Sequence, residues 1–190
     1  MKVTAFNTSP RAGGNTHRML EIALEALAKE GIDTELVEAG APLAGCRACY
    51  ACKKMMNGRC VVTSDAMNDH IAKMVQSDGI LIGTPVYFAD ACANARALVE
   101  RAGLVTRING NQLRRKVGAG VVCARRGGFT SAFDSLNKFF LIGEMIVPGS
   151  IYWNMGQARD IGELDKDTEG VETMRVLGTN MAWLLKKLHA

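Results

Sequence analysis

Gly79-Ile-Leu-Ile-Gly83, running straight into Thr84-Pro-Val-Tyr-Phe-Ala-Asp90, is the stretch that decides the fold. Its first half is a short, uninterrupted apolar run between glycines. Strands with both faces buried in a parallel sheet have this character, whereas a half-exposed strand would alternate. Its second half puts a proline and two aromatics where the strand should give way to a loop. Val117 to Ala124 repeats the pattern of an unbroken apolar run. Two such strands call for helices on both sides of one sheet.

Working outward, the helices are there. Val3 to Asn7 reads as the first strand and Thr34 to Val37 as the second. Between them Thr16 to Lys29 carries Met19, Leu20, Ala23, Leu24 and Leu27 on one stripe, with Gly31 placed as a C-terminal cap. Asp65 to Gln76, Ala91 to Ala102 and Phe129 to Ile142 read as further helices. Ile146 to Trp153 reads as a fifth strand, 156–165 as a surface loop, and Thr168 to Leu188 as a long closing helix. The expected architecture is α/β, a five-stranded parallel sheet in a three-layer sandwich, formed by residues 1–190 as one domain. In such sheets ligands bind beyond the carboxyl ends of the strands, where the strand order reverses.

Composition narrows the class. Of 190 residues, 48% are hydrophobic and 22% charged, and the net charge is +4. The basic residues are scattered, so no nucleic-acid face is expected. The densest group, Arg114, Arg115 and Lys116, reads as a solvated helix end or loop. No apolar run approaches the roughly 20 residues of a membrane helix, so no membrane association is expected. No signal peptide precedes the first strand, which points to the cytoplasm, where thiols stay reduced. The six cysteines are then core residues, ligands or redox groups before they are disulfides.

Three strand-end loops carry the candidate chemistry. Thr8-Ser-Pro-Arg-Ala-Gly-Gly-Asn-Thr16 lies between a strand and a helix N-terminus, where free N–H groups attract phosphate. Gly13 and Gly14 let the backbone curl. Ser9, Asn15 and Thr16 supply donors, and Arg11 a charge. An ordinary Asn/Thr helix cap would use some of the same residues. The loop lacks Gly-x-Gly-x-x-Gly, which disfavours a dinucleotide fold with Glu38 on a ribose, and it lacks Gly-Lys-Ser/Thr. A terminal phosphate monoester, as in FMN, fits what remains. Pro85, Val86, Tyr87 and Phe88 offer flat surfaces for a ring, or else pack under the next helix. Ala124, Arg125, Gly127 and Gly128 offer donors at a ring edge, or else form a basic turn.

Ser9-Pro-Arg-x-Gly-Gly-Asn-Thr16, Gly83-Thr-Pro-Val-Tyr-Phe88 and Ala124-Arg-Arg-Gly-Gly128 together resemble the NAD(P)H-dependent FMN reductase group of the flavodoxin-like superfamily. Gly149-Ser-Ile-Tyr-Trp153 and Asp167-Thr-Glu-Gly170 resemble its C-terminal half. The resemblance implies a flavodoxin-like fold, noncovalent FMN, NAD(P)H or another reductant, and a homodimer or homotetramer. It places the phosphate on Ser9, Arg11, Asn15 and Thr16, and the ring beside Pro85 to Phe88.

The loop Gly45 to Cys60 adds thiols at Cys46, Cys49, Cys52 and Cys60. Cys-x2-Cys-x2-Cys matches one half of a bacterial ferredoxin site, though the gap to the fourth cysteine is longer and no proline follows it. Structural zinc ordinarily uses two separated pairs, a poorer match. On this fold the motif resembles the iron-sulfur flavoproteins, which implies a 4Fe-4S cluster exchanging electrons with FMN and a ferredoxin-like donor. The second strand should neighbour the first, so the loop is expected at the flavin end of the sheet. Reduced thiols without a cluster, or a redox-sensing loop acting through a partner, remain alternatives. Cys92 and Cys123 read as small core residues. His17, His70 and His189 show no ligand spacing, and His17 is expected on a solvated helix surface.

Overall fold

The computed structural model describes residues 1–190. In chain order the elements are β1 (Lys2–Asn7), α1 (Asn15–Lys29), β2 (Asp33–Glu38), a one-turn α2 (Ala51–Met55), α3 (Met67–Gln76), β3 (Gly79–Tyr87), β4 (Asp90–Ala91), α4 (Ala93–Ile108), β5 (Val117–Ala124), α5 (Phe129–Ile142), β6 (Met155–Gln157), a 3-10 turn (Glu163–Lys166) and α6 (Thr168–Leu188). Five strands run parallel in the order β2-β1-β3-β5-β6, and β4 pairs antiparallel with the end of β3. The chain order reverses at β1, so the carboxyl ends of β1 and β3 flank the switch point.

Alternating side chains of the sheet feed two cores. Val3, Ala5, Leu81, Val117, Ala119 and Val121 face α1 and α6, while Phe6, Ile80, Ile82 and Val122 face α3, α4 and α5. Burying a Leu, Ile or Phe side chain contributes about 1.5–3 kcal/mol, so these layers dominate the stability. α1 and α6 approach closely because Gly178 has no side chain: a Cβ there would lie 2.4 Å from the Ala23 carbonyl oxygen. α1 ends in a Schellman cap, with the Ile32 N–H on Leu27, the Gly31 N–H on Ala28, and Gly31 at φ 79°. Asp167 caps α6 by accepting the Gly170 N–H at 3.0 Å.

The structure departs from expectation in three places. β3 does not stop at Gly83 but continues through Tyr87, and returns as β4 through a two-residue turn at Phe88 and Ala89. Both turn residues sit at positive φ, 48° and 62°, where a type I′ hairpin ordinarily places Asn and Gly. The fifth strand is not Ile146 to Trp153. Ile146 makes a single bridge to Val117, Pro148 has no N–H to give the ladder, and pairing resumes only at Met155–Gln157. Ile151, Tyr152 and Trp153 are exposed in the excursion between. α4 extends beyond Ala102 to Ile108.

The amino edge of the sheet is tied shut. The Lys2 N–H donates to Asp78 at 2.8 Å, and His189 lies 3.7 Å from the same carboxylate. Lys116, expected on a solvated helix end or loop, instead donates Nζ–H to the Val75 and Ser77 carbonyls. No helix is long and apolar enough to cross a membrane.

Candidate active site

The loop after β1 is built from inside. Asn7, the last residue of β1, accepts the Ser9 N–H at 3.2 Å and donates to Glu38 at 2.7 Å, linking the loop to the end of β2. Glu38 also meets His17 Nδ1 at 2.5 Å, and His17 Nε2 lies 3.2 Å from Glu21. His17 therefore stands partly exposed on the solvated face of α1, as expected, and with Glu38 it braces the loop from behind. Thr8 spends its hydroxyl on the Gly83 carbonyl at 2.7 Å, pinning the loop to β3. Ser9 Oγ accepts the Arg11 N–H at 3.2 Å, and Gly13 turns the chain at φ 59° into α1. The first turn of α1 then presents its N–H groups to whatever lies beyond.

What lies beyond is a cleft of about 280 Å³, lined by Ser9, Arg11, Gly14, Asn15, Thr16, Pro85, Val86, Tyr87, Cys123, Ala124, Arg125, Ala158, Arg159 and Ile161. Three strand-end loops thus converge as the sequence implied. Phe88, Gly127 and Gly128 stand outside the lining. Phe88 is fully exposed at the hairpin tip. Gly128, at φ 86°, seats the hairpin, since a Cβ there would lie 2.6 Å from Ala89 Cα and 2.8 Å from Val86 Cγ1.

Cys123, Ala158, Arg159 and Ile161 were not anticipated. The last three follow β6, and placing the fifth strand too early had turned their segment into a plain surface loop. That segment is held by Asn15, which donates to the Asp160 carbonyl at 2.9 Å and accepts the Gly162 N–H at 3.2 Å. Both polar ends of Asn15 are therefore engaged within the protein. Arg11 reaches the Arg159 carbonyl at 3.4 Å.

The chemistry of the lining is one-sided. Arg11, Arg125 and Arg159 contribute three guanidinium groups, and no carboxylate or imidazole lines the cleft. An anion is what such a wall attracts. Burial pushes the Cys123 thiol up to about 12, so it stays a neutral wall group and not a nucleophile. A cleft with anion donors and apolar walls but no protein acid-base pair suits a bound cofactor that brings its own reactivity.

The four cysteines of the 45–60 segment line a second, smaller pocket together with Arg101, Leu104, Val105, Val61 and Val62. Its position corrects one expectation. The chain leading into the segment passes the strand-end cleft, where Gly40 lies against Ser9, but the segment then drapes along α4 toward Asn109. Arg101 to Val105 lie about 12–18 Å along that helix from its start, at ~1.5 Å per residue. Ala48, Tyr50 and Met56 all adopt positive φ, at 49°, 54° and 47°, curling the segment around the thiols. No three thiol, imidazole or carboxylate groups converge on one point, as a single metal ion would need. A cubane gives each cysteine its own iron, so ligands ranged around a pocket match it in kind. The space between the thiols is about 20 Å³, so the segment would have to spread to take one. Burial raises Cys52, and the neighbouring Cys60 and Cys46 add to the effect.

A doubly wound sheet of this order, with a phosphate-type loop and a ring-sized cleft at its switch point, defines a flavodoxin-like, flavin-dependent oxidoreductase. The chain belongs to the NADPH-dependent FMN reductase family, whose description matches residues 1–160. An iron-sulfur flavoprotein of Methanocaldococcus jannaschii is 38% identical to it, over 98% of this chain and 98% of that protein. Another, from Methanosarcina thermophila, is 33% identical over 92% of this chain and 90% of its own length. Among solved structures, a flavodoxin, WrbA-like protein from Agrobacterium tumefaciens superposes with a TM-score of 0.68 at 17% identity, covering 98% of this chain and 97% of that one.

Proposed function

We propose that the protein binds FMN in the strand-end cleft and passes electrons from a reduced donor, NAD(P)H or a ferredoxin-like protein, through the flavin to an acceptor. The observation that carries this reading is the lining itself, which joins three arginines and the α1 N-terminus with Pro85, Val86 and Tyr87 in one cleft. In this reading Ser9, Arg11, Gly14 and Thr16 hold the phosphate and Ala124 and Arg125 meet the ring edge. Asn15 acts one step back, by fixing the 158–162 segment. FMN supplies the hydride or electron chemistry, while the chain binds it, orients it and leaves one face open. A homodimer or homotetramer is proposed on the family resemblance, and a cytoplasmic setting on the free state of all six cysteines.

A second reading is favoured by a specific observation: Cys46, Cys49, Cys52 and Cys60 line one pocket. In it the protein is an electron carrier holding a 4Fe-4S cluster on those thiols, as the names of its archaeal relatives suggest. One preparation tests both. Protein purified without oxygen is assayed for FMN, iron and acid-labile sulfide, and for steady-state NADPH oxidation. FMN near one per chain with brisk NADPH turnover supports the reductase. About four iron and four sulfide per chain, with poor turnover, support the carrier. A preparation that binds no FMN overturns both.

A further inference from the structure

The cysteine segment is fastened to α4 along its length. Asn94 accepts the Leu43 N–H at 3.3 Å, Glu100 accepts the Cys46 N–H at 3.2 Å, and Asn109 accepts the Gly58 N–H at 2.9 Å. The central fastening is Arg101, whose side chain is only 1% exposed. Its Nη1 donates to the Ala44 carbonyl at 3.1 Å and to Asp65 at 2.5 Å, and its Nη2 donates to the Val62 carbonyl at 2.9 Å. Ala44 and Val62 bracket the four cysteines, so one guanidinium holds both stems of the segment. Asp65 completes the clamp by accepting the Ala44 N–H at 3.0 Å.

One nitrogen of that guanidinium is left without a partner. Arg101 Nε is buried and has no partner, although Arg101 lines the same pocket as Cys46, Cys49, Cys52 and Cys60. A buried charged group with a spare N–H calls for an explanation, because the missing bond is costly. Cys60 shares the wall of that pocket with Arg101. Sulfur acceptors made anionic by iron would give that nitrogen a partner.

We propose that Arg101 is the positioning residue of a thiolate-ligated iron-sulfur cluster in this pocket, clamping the stems of the cysteine segment through its outer nitrogens and donating its spare Nε–H to Cys60 Sγ or a cluster sulfide. The proposal rests on the carrier reading. A cluster that accepts one electron gains one negative charge and no proton. A neighbouring guanidinium favours that reduced form and so raises the reduction potential.

The test compares wild type, Arg101→Lys and Arg101→Gln after anaerobic reconstitution with iron and sulfide. Iron per chain, circular dichroism, the cluster potential by dithionite titration with EPR, and the rate of cluster loss in air are measured on each. The FMN potential serves as the internal control, since the cleft and the cysteine pocket share no lining residue. Arg101→Gln is expected to shift the cluster potential negative and lose its cluster several-fold faster, with the FMN potential unmoved. Arg101→Lys, which keeps the charge but not the fork, is expected to hold the potential yet lose the cluster faster. Iron-loaded Arg101→Gln with wild-type potential and wild-type cluster loss would overturn the proposal. Should Arg101→Gln fail to fold, Arg101→Lys with wild-type cluster loss overturns it instead. Wild type that binds FMN yet takes up no iron removes the carrier reading, and this proposal with it.

Discussion

Arg11 and Asp65 show how differently a charge works when it is exposed and when it is buried. Arg11 stands on the cleft rim with only the Arg159 carbonyl as an internal partner, so it is free to meet a ligand. Arg11→Ala removes one charge-assisted contact worth about 1.5–3 kcal/mol and should weaken FMN binding roughly 10- to 100-fold, read by flavin fluorescence titration. Unchanged affinity would move the phosphate elsewhere. Asp65, 7% exposed, is the partner of buried Arg101. Asp65→Asn leaves that cation uncompensated and should cost about 3–5 kcal/mol in urea unfolding. Burial alone would raise the Asp65 carboxyl. The Arg101 guanidinium and the N–H groups of Ala44 and Met67 outweigh it and hold the carboxyl below its ordinary 3.8. Because the folded value is the depressed one, this stabilisation is complete above pH 3.8 and fades as pH falls through the lower folded value. Acid titration of wild type should therefore converge on Asp65→Asn, whereas a constant gap between the two would refute the assignment. None of this could be read from sequence, since Arg101 and Asp65 are separated along the chain and neither carries a motif.

At the scale of elements, what the sequence declares is what local pattern dictates. β3, β5, α1 and α6 were legible because buried parallel strands and one-faced helices leave unmistakable periods. β6 was misplaced because Ile146 to Trp153 has strand composition but contains Pro148, and only the ladder with β5 decides where pairing resumes. The β3–β4 hairpin was missed because Phe88 and Ala89 are the wrong residues for its turn. Tertiary support, the seat on Gly128, overrides their preference. That override should be measurable. Ala89→Gly relieves a left-handed backbone at little other cost and should raise stability by about 1 kcal/mol, seen as a higher Tm. A lower Tm would mean the turn is not under strain. Gly178→Ala should do the opposite, driving α6 off the Ala23 carbonyl at about 1–3 kcal/mol.

For the molecule as a whole, the strand-end cleft and the cysteine pocket are separate, and neither borrows lining from the other. Cofactor binding should stabilise the fold by mass action, about 2.7 kcal/mol at FMN a hundredfold above its Kd. A thermal scan should show this in wild type and a smaller gain in Arg11→Ala at the same FMN concentration. The cleft was legible as a place because three loops pointed to it, but not its fourth wall, which depends on a strand that sequence mislaid. The tied amino edge has a practical consequence of its own. Residues 2 and 189 both reach Asp78, so the two chain termini emerge together at the pole opposite the cleft. A linker grafted at either terminus would anchor the protein to an electrode or a bead with its cofactor face turned outward. A circular permutant joining those termini would need only a short bridge.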